Sequence, residues 1–264
     1  MDTKRRQREI IALVRAEGRV RVNDLAARFD ATPQTIRKDL ETLAQAHKVV
    51  RFHGGASLLA GVEYMRYEAR REIAAEAKAA IGAEVARRIP NNAAIFINVG
   101  TTTEVAAMAL AHHAGLRVIT DNVNVANELR KFPGVEPLIV GGAVRGADGA
   151  VVGADAVAFI EQFRVDYAII GAAAIDEDGA LFDFDLAEAG VSRAMIANAR
   201  HVILAADRTK RERTAPVKIG SLADMGAFVT DVCDDPGLAR ICAEAEVELV
   251  EVARKSAPVR RRSA

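Results

Sequence analysis

From Ala93 onward the sequence repeats one unit, a short uninterrupted apolar run followed by a stretch with helical spacing. The apolar runs are "AAIFINV", "RVIT", "PLIVGG", "DYAIIG" and "HVILAAD". Between them stand "EVAAMALAHH", "NVANELRKF", "ADAVAFIEQF" and "EAGVSRAMIANA", and "GAFVTD" and "VELVEV" complete the series. Continuous apolar strands alternating with helices indicate a sheet covered on both faces, so the pattern predicts an α/β domain around a largely parallel sheet. Ligands of such sheets bind beyond the carboxyl ends of the strands, which directs attention to the residues just after each apolar run.

At 264 residues and 50% hydrophobic composition the chain has room for a second domain. Charge divides it. Residues 1 to 55 hold 12 basic and 7 acidic residues, a balance of 12 − 7 = +5. Residues 56 to 253 hold 19 basic and 29 acidic, 19 − 29 = −10, and five basic residues with no acid follow from Arg254. A basic head on an acidic body suggests a polyanion-binding module joined to a domain with another task. No stretch approaches the roughly 20 apolar residues of a membrane span, so no membrane partner is expected and the cytoplasm is the expected location. Cys233 and Cys242 have no neighbouring histidine and read as free thiols; the five histidines show no metal-ligand spacing, and neither metal nor cofactor is expected.

The head divides into short helices. "REIIALVRAEG" places Ile10, Leu13 and Val14 at helical spacing and "VNDLAARF" forms a second stripe. After Asp30 to Thr32 comes "PQTIRKDLETL", with Thr32 as N-cap and Pro33 at the first helical position. Ile36, Leu40 and Leu43 share one face of this third helix; Gln34, Lys38, Glu41 and Thr42 point the other way, with Thr35 and Arg37 on the flanks. A helix, a tight turn and a second helix exposing Gln, Thr, Arg and Lys is the layout that reads base edges in a major groove. "KVVRFHGGA" then predicts a hairpin wing carrying Lys48, Arg51 and His53 toward phosphates; a small helical bundle for protein contacts is the rival reading.

Strand ends in the body supply ligand candidates. Gly100, Thr101, Thr102 and Thr103 follow "AIFINV" and open a helix, where unpaired N–H groups and the dipole favour an anion. Thr101-x-x-Glu104 is equally a capping box that would satisfy the same N–H groups from within. Asn122 could reach a ligand hydroxyl or cap the next helix. Gly142 gives flexible backbone beside Arg145, a phosphate ligand or a surface arginine. Asp176 in "IDEDG" could bind a polyol, although Asp178-Gly179 also marks a hairpin turn. Glu188 could accept hydrogen bonds from hydroxyls or sit exposed on its helix. Lys210 in "AADRTK" stands at a strand end as a phosphate lysine. A long amphipathic stretch from Ala69 to about Ile89 is expected to bridge the two domains.

"VNDLAARF…TPQTIRKDLETL…VVRFHGGA" resembles the winged helix-turn-helix of the DeoR family of bacterial transcriptional regulators. "FINVGTT", "VITDNVNVANEL", "VGGAVR…GAVVGADA", "FRVDYAIIGAAAIDEDG" and "AADRTK" resemble, in order, the blocks of that family's sensor domain. The resemblance implies a winged helix-turn-helix over 1–57, a linker over 58–72, a ribose-5-phosphate isomerase-like α/β sensing and oligomerisation domain over 73–253, and a basic tail over 254–264. "TPQTIRKDLETLAQ", "NVNVANEL" and "FIEQFRVDYAIIG…IDEDGALFDFD" are most similar to the family's regulators of glycerol-phosphate genes. That implies double-stranded operator DNA as one partner, a small phosphorylated metabolite such as glycerol 3-phosphate or a related sugar phosphate as the other, and a homodimer or homotetramer.

Four positions depart from the family pattern. Lys38 stands where the second of two arginines is usual, keeping charge but losing a bidentate fork. Asn98 replaces the usual Asp before GTT, Asp121 replaces a first Asn, and "DRTKRER" replaces a Ser-Lys-Phe-Gly pattern. Three functions therefore stand open: a repressor sensing a phosphorylated metabolite, a sugar-phosphate isomerase with a DNA-binding head, and an architectural DNA-binding protein. The isomerase needs a general base and an electrophile converging on a carbonyl sugar, for which Asp176, Asp178 and Lys210 are candidates. The sensor needs binding without turnover.

Overall fold

The computed structural model describes residues 3–17, 19–45, 48–52, 54–57 and 67–252. His53, most of the 58–72 segment and the 254–264 tail, all assigned roles above, lie outside these. The chain forms two compact units, residues 1–65 and 66–264.

The first unit contains α1 (Thr3–Glu17), β1 (Arg19–Arg21), α2 (Val22–Arg28), α3 (Pro33–Gln45), β2 (Val50–Phe52) and β3 (Gly55–Ser57). Its core joins Ile10 and Val14 of α1, Leu25 of α2, the Ile36, Leu40 and Leu43 stripe of α3, and Val20, Val49 and Ala56. Thr32 caps α3, its hydroxyl oxygen accepting from the Thr35 N–H at 3.2 Å. β2 and β3 form the expected antiparallel wing, with Gly54 at φ +93 in the turn. β1 adds a strand that three residues of "RVR" do not announce, and it pairs with β3 to give the order β1-β3-β2.

The second unit opens with α4 (Tyr67–Glu72) and α5 (Ala75–Arg87). The amphipathic stretch from Ala69 to about Ile89 is divided between these two helices, with Ala74 at a left-handed φ of +53 between them. There follow β4 (Ala94–Ile97), α6 (Thr101–Met108), β5 (Leu116–Thr120), α7 (Val123–Leu129), β6 (Val135–Ile139), β7 (Ala143–Val144), β8 (Val151–Val152) and α8 (Ala154–Ile160). β9 (Val165–Ile170), β10 (Ala174–Ile175), β11 (Ala180–Asp183), α9 (Leu186–Ala197), β12 (Ala199–Ala205), β13 (Val217–Ser221), β14 (Ala227–Thr230), α10 (Pro236–Glu244) and β15 (Glu248–Glu251) complete it.

Seven strands form one sheet in the order β15-β14-β12-β9-β4-β5-β6. Every neighbouring pair is parallel. Alternate side chains of the strands feed two cores: Phe96 and Ile119 pack with residues of α8, α9 and α10, while Ile95, Ile97 and Val118 pack with α5, α6 and α7. The chain runs from β4 outward to β6, then returns to β9 on the other side of β4 and continues outward to β15. The switch point of the sheet therefore lies between β4 and β9, the place where ligands of open parallel sheets bind.

Helices α5 and α6 cross closely because Gly82 has no side chain. A Cβ there would lie 2.9 Å from Val105 Cγ1 and 3.0 Å from the Ala106 backbone nitrogen. Gly82→Val is expected to destabilise the fold by about 1–3 kcal/mol through overpacking. The check is the urea midpoint, which an unaffected crossing would leave in place.

Candidate functional site

On α3, Gln34, Arg37, Lys38, Glu41 and Thr42 are exposed while Ile36, Asp39 and Leu40 are buried. Asp39 accepts from Arg6 Nε at 2.5 Å and from Gln7 Nε2 at 3.1 Å, both on α1. These bonds fix the rotation of α3 and hold Arg37 and Lys38 outward. Thr32 and Thr35 share a 2.9 Å hydroxyl contact at the helix start, and Lys48 and Arg51 are exposed at the wing.

In the second unit the ends of β4, β5, β9 and β12 supply the candidate site. Asn98, just past β4, is fully buried and ties the two central strands together. Its Nδ2 donates to the Gly171 carbonyl at 3.2 Å and to Ser192 Oγ at 3.1 Å, and its Oδ1 accepts from the Gly171 N–H at 2.8 Å. An aspartate could not make both donations, so the amide found here suits a clamp between strands.

Gly100 is the N-cap of α6 and receives no side-chain cap; the capping box that Thr101 and Glu104 offered as one of two readings does not form. The reason is that Glu104 is drawn elsewhere. Its carboxylate accepts from Tyr67 Oη at 2.5 Å and Asn122 Nδ2 at 2.8 Å. Thr101, Thr102 and Thr103 are buried. The Thr103 hydroxyl turns inward to the carbonyls of Asn98 and Gly100, at 2.7 and 2.9 Å. Uncapped, the first turn of α6 keeps its N–H groups available at the sheet switch point.

Of the two roles open to Asn122, the structure realises the cap: Oδ1 accepts from the N–H groups of Asn124 and Val125. A Cβ on Gly142, at φ +147, would lie 3.1 Å from Val151 Cγ1 and 3.3 Å from the Val152 carbonyl oxygen. Asp176 is exposed in the β10–β11 turn, where Asp178 Oδ1 accepts from the Ala180 N–H. Glu188 is buried rather than exposed on α9. Arg145 joins it: its guanidinium donates two bonds of 2.9 Å to Asp148 and one of 2.5 Å to Glu188. Asp183 is also buried nearby, and burial raises the affinity of both Asp183 and Glu188 for a proton.

Asp121, just past β5, is wholly buried and neither of its carboxylate oxygens completes a hydrogen bond of good geometry. Burial pushes it up to about 8, against the pull of the Val99 and Asp121 N–H groups and of Arg145.

Of the remaining feature only Lys210 was read from the sequence. Arg70, Lys78, Lys210 and Arg213 lie within electrostatic range of one another, and Asp207 is the acid that faces Lys78, Lys210 and Arg213. Burial, then the repulsion of neighbouring cations, brings Lys210 down to about 7 and Lys78 to about 8. Asp207 gives one oxygen to the Thr209 N–H and hydroxyl, while its other oxygen is buried without a hydrogen-bond partner. Lys78 had a sequence signal: it sits on the α5 stripe with Ile81 and Val85, where a solvated lysine has no place. Arg70 and Arg213 come from segments whose packing the pattern did not show.

No helix among the described residues is long and apolar enough to cross a membrane. Residues 6–61 match the DeoR-like helix-turn-helix domain and residues 73–232 the DeoR C terminal sensor domain. The glycerol-3-phosphate regulon repressor of Escherichia coli (strain K12) is 38% identical over 94% of this chain and 99% of its own length. That of Haemophilus influenzae is 40% identical over 93% and 95%. The HTH-type transcriptional repressor CsqR of Escherichia coli is 36% identical over 93% and 94%. Among solved structures, ribose 5-phosphate isomerase from Plasmodium falciparum matches 51% of this chain and 52% of its own at 13% identity and a TM-score of 0.38. This chain belongs to the DeoR family of helix-turn-helix transcriptional repressors.

Proposed function

We propose that this repressor senses a phosphorylated small metabolite, glycerol 3-phosphate first among them, and that binding lowers its affinity for operator DNA upstream of glycerol and glycerol-phosphate genes. The observation that carries the reading is the group of Arg70, Lys78, Lys210 and Arg213 with Asp207 as the acid among them. Like charges so placed weaken one another's protonation, and a phosphate dianion relieves that strain. The uncapped start of α6 adds N–H donors at the same edge of the sheet. The names of the two glycerol-3-phosphate regulon repressors favour that ligand. Binding proceeds without turnover.

Arg37, Lys38, Gln34 and Thr35 read bases, and Lys48, Arg51 and His53 meet phosphates. Two recognition helices about 34 Å apart fit successive major grooves, so the working form is a homodimer or homotetramer in the cytoplasm. Ligand and DNA then oppose each other reciprocally. Another sugar phosphate is the second reading.

The test is a thermal-shift screen of phosphorylated three- to six-carbon metabolites on the full chain. A ligand at 100 times its dissociation constant stabilises by about 2.7 kcal/mol. Glycerol 3-phosphate is expected to give the largest shift, and Lys210→Ala to remove it. Shifts from no phosphorylated compound would end the proposal; a larger shift from another sugar phosphate would establish the second reading.

A further inference from the structure

We propose that Arg70 is a ligand of the effector phosphate, that the phosphate competes with Asp148 for its guanidinium, and that filling the site thereby loosens α4. The inference rests on the effector reading above for the existence of a bound phosphate. It adds the residue through which occupancy reaches the segment leading to the DNA-binding unit.

Helix α4 has six residues and is the first described element after residue 66. It is held by polar contacts. The Tyr67 hydroxyl donates to Glu104 and accepts from Asn124 Nδ2 at 3.3 Å; Arg70 Nη2 donates to Asp148 Oδ2 at 3.0 Å. The Arg70 carbonyl accepts from Lys78 Nζ and from Thr101 Oγ1. Each partner belongs to the candidate site: Thr101 and Glu104 lie on the phosphate-facing helix α6, Lys78 is in the cation group, and Asp148 also holds Arg145.

Two features make Arg70 the group that exchanges. Its Nε is buried without a hydrogen-bond partner, so the guanidinium has a donor left over for an incoming oxyanion. It also adds to the repulsion on Lys78, Lys210 and Arg213, so an anion bound among them would attract its charge as well. Asp148 can release it, because the fork from Arg145 keeps both carboxylate oxygens bonded. The exchange leaves no buried acid unpaired, whereas the loss of Arg145 would. Once Arg70 turns to the phosphate, α4 keeps Tyr67 on Glu104 and the Arg70 carbonyl on Lys78 and Thr101, and loses the side-chain anchor on Asp148. The ligand and the docked helix then oppose each other by linkage.

The experiment is calorimetric titration of the full chain with glycerol 3-phosphate and, separately, inorganic phosphate. Arg70→Ala is expected to weaken both by ~10-fold or more, the size of a lost charged hydrogen bond. Asp148→Asn removes the competitor and is expected to tighten both. Tyr67→Phe leaves the phosphate contacts in place and is expected to tighten binding a few-fold and to lower the effector concentration that releases operator DNA. Unchanged affinity in Arg70→Ala while Lys210→Ala loses binding would overturn the role of Arg70 and leave the effector reading standing. Unchanged affinity in both would end the effector reading itself. Should Arg70→Ala melt early, Asp148→Asn decides, because failure to tighten contradicts the competition.

Discussion

Alanine at both Arg37 and Lys38 is expected to abolish specific operator binding while leaving effector affinity unchanged. The buried stripe of α3 and the Asp39–Arg6 pair fix the helix rotation, so the two cations project from the unit rather than into it. Contacts to base edges contribute about 1–3 kcal/mol each, so the double variant should lose roughly 30-fold or more, measured by fluorescence anisotropy at constant salt. Arg51→Ala and Lys48→Ala should instead weaken all sequences alike and flatten the salt dependence by about one unit of slope per lost phosphate contact. A double variant that kept wild-type affinity would remove α3 from the groove.

Asp121→Asn is expected to stabilise the protein at pH 8 far more than at pH 5. The folded protein holds this carboxyl protonated up to about 8, pushed there by burial, whereas the unfolded chain releases the proton near the ordinary value of 3.8. Between those limits the native state binds more protons than the unfolded state. Stability therefore falls as pH rises through the window, by at most about 1.4 kcal/mol per pH unit, and levels off above it. Asparagine has nearly the same shape and no charge to bury, so the variant escapes this loss. Melting temperatures of the two proteins should diverge steadily from pH 5 to pH 8; a constant gap, or a less stable variant at pH 8, would contradict the buried carboxyl. Taking the variant against the parent isolates Asp121 from Asp183 and Glu188, whose burial acts in the same direction.

The parallel sheet was legible because "AIFI", "VDYAII" and "ARHVILA" carry apolar residues without alternation, and the helices between them have their own period. The recognition helix was equally legible, since Thr32, Pro33 and the Ile36, Leu40 and Leu43 stripe define its start and its face. The break at Ala74 was not: its backbone is left-handed and no glycine marks it. In the candidate site, the loop at Gly100–Thr103 and Lys210 were singled out by their position after strands. Arg70, Lys78 and Arg213 were missed because they converge from three separate segments. Local spacing also allowed a capping box at Thr101 and Glu104, which lost to Tyr67, Asn122 and Asn124, partners distant in sequence.

The most direct measurement is the anisotropy of a labelled operator duplex bound to the full chain while glycerol 3-phosphate is titrated to millimolar concentration at fixed salt. The account predicts release of the duplex, with Lys210→Ala remaining bound throughout. Operator binding unchanged or tightened by glycerol 3-phosphate and by the other sugar phosphates would contradict it.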